Sequence, residues 1–218
     1  MRPIAVAAAL FLVAGPVFAQ TQPTPATPEQ IATARAHADR LIAEAGAGAW
    51  FENVTDSALT QVRHTPSGMR CTFPGGVDDR IIIFPTGSMG IPQGDDVGCR
   101  WRAETLSILT TLYATRYRPM PSEEAVLRDA VNAIQTTYPS ATPYRGEVVS
   151  METEDRGVPL SAAFNIETDS GPRFTMALVW HSDEWSYKAR ATGPQNDAFE
   201  ISLYMGITFT GSLLEIDD

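Results

Sequence analysis

The chain has 218 residues, 44% of them hydrophobic, with 16 basic against 26 acidic side chains and a formal charge of −10. A surface so acidic repels phosphate backbones and anionic head groups at long range, which excludes nucleic acid as a bulk partner. The length supports one good core or two small ones.

Residues 1–19 read as a cleavable signal peptide. A positive charge at Arg2, an apolar run from Ile4 to Ala14, a Gly15-Pro16 break and small side chains at Val17 and Ala19 stand in the export order, with the cut expected between Ala19 and Gln20. The apolar run is shorter than the ~20 residues of a spanning helix, so no transmembrane anchor is expected in the mature chain. A lipoprotein would need cysteine where Gln20 stands. The mature protein is expected in the periplasm or medium. Loss of Arg2 leaves 15 basic against 26 acidic side chains, a formal charge of −11.

Residues 20–27, QTQPTPAT, form an extended Pro/Thr-rich leader with nothing to bury. A capping box, Thr27-Pro28-Glu29-Gln30, then opens a helix expected over 28–45, with Ile31, Ala34, Ala38, Leu41, Ile42 and Ala45 at helical spacing and Gly46 and Gly48 as the stop. Three short antiparallel strands are expected in LTQVRH, MRCTF and RIIIF, followed by a long Gly/Pro-rich loop to Gly98. Cys71 and Cys99 are the only cysteines. In an oxidising compartment they predict one disulfide, tying the far end of that loop back to the strand of Cys71.

Residues 104–116 alternate tolerably and are read as a strand. Ser122 caps a second helix carrying Leu127, Ala130, Val131, Ile134 and Tyr138 as its stripe, with Pro139 as its end. PLSAAFNIE and RFTMALVWHSDEWSYKARA read as long strands with a turn at His181 to Glu184. Phe174, Met176, Leu178 and Trp180 face the core there, with Trp185, Tyr187 and Ala189 on the return strand, while Lys188 and Arg190 face water. Residues 196–214 fit two periods, since Phe199, Ile201, Leu203, Met205, Ile207 and Phe209 alternate while Phe199, Leu203, Ile207 and Thr210 make a helical face; strand or helix stays open. The fold class is therefore α+β: a mostly antiparallel sheet flanked by two or three helices with one disulfide, spanning 28–218 as one domain or as two halves meeting near Pro119.

The order of the second half, a helix over 121–138, long antiparallel strands containing LVWHSDEWSYKARA and an amphipathic segment after Gly193-Pro194, is similar to the PsbP-like sandwich of extrinsic oxygen-evolving proteins. With its SGMxCxF-type hairpin at Ser67 to Phe73, the chain also resembles small signal-bearing alphaproteobacterial proteins of unassigned function. The resemblance implies a fold and a non-enzymatic accessory habit, and carries over no residue role.

Chemistry-bearing residues are sparse. The imidazoles are His37, His64 and His181; a Ser-His-Asp set would draw on Ser67 or Ser88, His64 and one of Asp78, Asp79, Asp95 or Asp96. Thr86-Gly87-Ser88-Met89-Gly90 lacks the first glycine of a nucleophile elbow. The two acid pairs lack the Asp ladder and spaced Glu of a calcium loop, and two cysteines without a nearby His pair lack zinc spacing. No cofactor motif is present. Basic residues beside aromatics, including Trp101, Arg102, Lys188 and Arg190, are ligand candidates for a localised anion. Two function classes follow: a non-catalytic envelope protein binding a partner protein or small ligand, and an envelope hydrolase centred on His64.

Overall fold

The computed structural model describes residues 25–85, 90–152, 157–182 and 184–213; the signal segment, the Ala19-Gln20 cut, most of the leader and Ser88 lie outside them. The capping box forms as its residues dictate. Gln30 N–H donates to the Thr27 hydroxyl and Thr27 N–H donates to the Gln30 side chain, opening α1 (Pro28–Glu44). Ala34, Ala38 and Leu41 are its buried stripe, and Gly46, at φ +60°, turns the chain out of the helix.

Beyond α1 come β1 (Phe51–Asn53), β2 (Thr60–His64) and β3 (Arg70–Phe73), an antiparallel sheet in the order β1-β2-β3. Of the strands expected here, RIIIF belongs elsewhere: β4 (Arg80–Ile83) pairs with β5 (Asp96–Ala103) in a separate, seven-stranded sheet. The expected loop to Gly98 ends early, because β5 begins at Asp96, where Val97, Cys99 and Trp101 alternate inward at strand period. A 3-10 turn over Glu104–Leu106 precedes β6 (Ile108–Thr115), so the expected strand 104–116 starts late.

Ser122 caps α2 (Glu123–Thr137) by accepting from Ala125 N–H. β7 (Thr142–Pro143), β8 (Leu160–Thr168), β9 (Gly171–Ser182) and β10 (Trp185–Pro194) complete the large sheet, in the order β4-β5-β6-β10-β9-β8-β7. All of its pairings are antiparallel. Strands from both sides of Pro119 meet where residues 109–115 of β6 pair with residues 186–192 of β10. The last segment is a helix, α3 (Ala198–Leu213), burying Ile201, Met205 and Phe209.

The large sheet therefore has two differently covered faces. The small sheet, α1 and α3 cover one, and its core gathers Val62, Cys71, Cys99, Trp101, Leu112, Met176, Tyr187 and Phe209. α2 covers the other over β8 and β9, packing Ala130 and Ile134 on Phe164, Ile166 and Ala177. β9 is consequently buried on both faces, and the expected wet side survives only beyond the edge of α2. The disulfide Cys71–Cys99 spans the two sheets with a Cα separation of 6.2 Å, and both residues are fully buried. It staples two packed layers, so its expected role as the anchor of a loop is corrected.

Candidate functional site

His64, at the end of β2, lies within hydrogen-bond reach of a serine. Its Nδ1 accepts from the Ser67 hydroxyl at 2.8 Å, and its Nε2–H donates to the Gly94 carbonyl at 3.1 Å, an arrangement that fixes the proton on Nε2. Ser67 in turn accepts from Met69 N–H. The ring sits 5.0 Å from Phe51 and 5.3 Å, edge-on, from Trp185. His64 is fully buried and Ser67 nearly so. Gly94 makes the close approach possible: at φ +91°, a Cβ there would fall 2.1 Å from the Trp50 indole nitrogen. Burial lowers the His64 pKa from 6.5 to about 4, partly opposed by the Gly94 hydrogen bond. A backbone carbonyl stands where a triad has its carboxylate, and both side chains are buried. The Ser-His contact thus fastens the Ser67–Met69 turn and the Gly94 loop to β2.

Of the other candidate bases and acids, His37 and Asp79 come together, and the rest are dispersed. His37 lies 3.8 Å from the Asp79 carboxylate and 3.4 Å from the Thr60 hydroxyl. Asp79 accepts from Gly75 N–H, and burial raises its pKa. Asp78 accepts from Arg102 Nε at 2.6 Å, which holds its carboxyl below the usual range. Asp96 accepts from the Thr115 hydroxyl, and burial raises its pKa. His181 flanks α2, where its backbone N–H donates to Glu123. Among the described residues no group of three or more His, Cys, Asp or Glu side chains converges as a metal site.

Concavity appears where sequence reasoning did not look for it. A groove of about 460 Å³ opens between β2, β3, β5 and α3, lined by Leu59, Phe73, Trp101, Leu112, Tyr204 and Ile207, with Gln61, Thr72, Thr208 and Ser212 among its polar groups. Trp101, 2% exposed, donates its indole N–H to the Tyr204 hydroxyl at 2.8 Å and packs edge-on against Phe73. Leu59 and Ile207 line the groove while more than half exposed. Ile207 continues into Leu203 and Phe199, four and eight residues back on α3, whose apolar side chains also face water. The helical reading of 196–214 names this stripe, and the structure places it toward water while Ile201, Met205 and Phe209 are buried.

The four anion candidates divide. Trp101 faces the core and the groove, whereas Arg102, Lys188 and Arg190 project from the opposite face of the large sheet, where β5, β6 and β10 extend past α2. Lys188 lies 4.5 Å from the Tyr113 ring centroid, and Tyr113 stacks on Phe84. Burial pushes the Lys188 pKa down, while Asp96 opposes the shift. The Arg190 guanidinium lies over Tyr138 at 5.9 Å. Arg80 and Arg100 join them in register, Arg80 opposite Arg100 and Arg100 opposite Thr111, which faces Arg190.

No protein-family model matches the chain, and no curated protein matches it. Among solved structures it is similar to LpqN, described as involved in cell envelope biogenesis of Mycobacterium tuberculosis, with 11% identity, 63% of this chain and 84% of that chain covered, and a TM-score of 0.32. So loose a likeness assigns this chain neither a family nor a function. No helix among the described residues is long and apolar enough to cross a membrane.

Proposed function

We propose that this chain is an exported, non-catalytic binding protein that holds a small, elongated apolar ligand in the groove between β3, β5 and α3. The carrying observation is the groove itself. Its volume of about 460 Å³ falls within the ~300–1,000 Å³ of small-molecule sites, and its lining is largely aromatic and aliphatic with a few polar groups at hand. The exposed stripe running from Ile207 to Phe199 gives the tail of such a ligand an apolar track, and covering that stripe would remove it from water. Export is supported by the order of residues 1–19 and by the buried disulfide, a bond that persists in oxidising compartments. The accessory habit implied by the PsbP-like order agrees with this reading.

The test is titration of the oxidised protein with N-phenyl-1-naphthylamine, a dye that brightens in apolar sites, followed by displacement with palmitate. Ala103→Phe, which fills the groove from β5, is expected to weaken dye binding about tenfold while leaving the thermal midpoint within a few degrees. Absence of dye binding by the unmodified protein, or equal binding by the variant, overturns the proposal.

A further inference from the structure

Five of the chain's 16 basic side chains lie on the face of the large sheet over β4, β5, β6 and β10, beside α2, whose Tyr138 lies against Arg190 and whose Asp129 acts on Lys188. Arg80, Arg100 and Arg190 form one row with Thr111 between the last two, and Arg102 and Lys188 stand two residues along β5 and β10. Neighbouring strands are about 4.8 Å apart and alternate residues on a strand about 6.8 Å. The backbone therefore places Arg100 and Arg190 about 10 Å apart, with the other three cations within about 7 Å of one or the other.

Local carboxylates do not balance this set. Asp78 serves both Arg102, at 2.6 Å, and Arg80, at 3.6 Å. Arg100 and Arg190 form no ion pair among the described residues, and the Arg100 Nε is buried without a hydrogen-bond partner. Asp96 and Asp129 are near enough to act on Lys188, yet neither forms an ion pair with it among the described residues. Like charges directly opposite across strands destabilise a sheet, and Arg80 and Arg100 are such a pair. On a chain with formal charge −10, an arginine row that shares the single carboxylate of Asp78 offers a counter-charge from outside a localised place to bind.

We infer that the arginine-bearing face of β4, β5, β6 and β10 is a binding site for a phosphoryl-bearing anion, received by Arg100 and Arg190 with Thr111 between them. Planar guanidinium forks match phosphate oxygens, and a span of about 10 Å suits two linked phosphoryl groups better than one. The site lies on the opposite face of β5 from the apolar groove, so neither site depends on the other.

The experiment is calorimetric titration of the oxidised protein with inorganic pyrophosphate at physiological ionic strength, paired with sedimentation against phosphatidylcholine vesicles with and without phosphatidylglycerol. Arg100→Gln and Arg190→Gln are each expected to weaken binding about tenfold. Arg40→Gln, on α1 and paired with Glu44, is expected to leave it unchanged. Saturable pyrophosphate binding with this pattern supports a free phosphoryl ligand. Sedimentation with the charged vesicles alone, lost in Arg100→Gln, supports a lipid head group as the source of the same chemistry. No binding to either probe, or equal weakening by all three substitutions, overturns the inference.

Discussion

His64 has its two ring nitrogens already committed, one accepting from Ser67 and the other donating to Gly94, between the rings of Phe51 and Trp185. A second proton on the ring would strand a buried charge and turn Nδ1 from acceptor into donor. The folded-state pKa, about 4, is below the unfolded value of 6.5, so between those values the unfolded chain binds more protons. Stability is thus highest above pH 6.5 and falls as pH drops toward 4, by about 1.4 kcal/mol per unit and about 3 kcal/mol in all. Asp79 and Asp96 act in the opposite sense. Burial raises their pKa values, so the protonated forms favour the fold and stability falls as pH climbs above 3.8. His181, also lowered by burial, adds to the His64 trend. The decisive quantity is therefore a difference: urea midpoints of the unmodified protein and of His64→Gln across pH 4 to 7. The variant is expected to lose most of the acid-side slope, and parallel slopes would sink the assignment.

α3 shows how an element can carry two messages at once. Its buried line, Ile201, Met205 and Phe209, and its exposed line, Phe199, Leu203 and Ile207, each step by four residues, and the two lines are offset by two. Superposed, they imitate the alternation of a strand, which is why the segment reads both ways from sequence alone. The faces are separable energetically. Met205→Ala is expected to cost about 2–5 kcal/mol, as core truncations do, whereas Phe199→Ser should stay within about 0.5 kcal/mol. Equal costs in chemical denaturation would mean that the exposed line is part of the core. Elements with one message were legible: the capping box of α1, the Ser122 cap of α2 and the stripes of both, the hairpin strands β9 and β10, and the pairing of Cys71 with Cys99. β5 was missed because glycines, proline and aspartates precede it and its own Arg-Trp-Arg stretch drew attention as chemistry. Membership of β4 in the large sheet depends on partners that no local pattern announces. For the same reason Arg102, Lys188 and Arg190 could be named as cations beside aromatics, but not their register with Arg80 and Arg100. The groove was invisible because its walls come from β2, β3, β5 and α3, far apart in the chain.

At the scale of the whole molecule, the disulfide and the proposed export stand or fall together. Cys71 and Cys99 are 28 positions apart, and between them the chain leaves the small sheet and enters the large one through β4. Cross-linking a loop of that length restricts the unfolded chain by about 3–4 kcal/mol, a large share of the ~5–15 kcal/mol that keeps a domain folded. A chain starting at Gln20 and made in a reducing cytoplasm would keep both thiols and should unfold at lower urea by that amount, recovering on oxidation. The full chain, expressed with residues 1–19 in a bacterium with a periplasm, is expected to yield a product that begins at Gln20 with Cys71 joined to Cys99. Intact mass and non-reducing peptide mapping read both at once. A product retaining residues 1–19, or carrying two free thiols, would remove the export argument. The groove would then have to find its apolar ligand, and the arginine row its phosphoryl group, among cytoplasmic molecules.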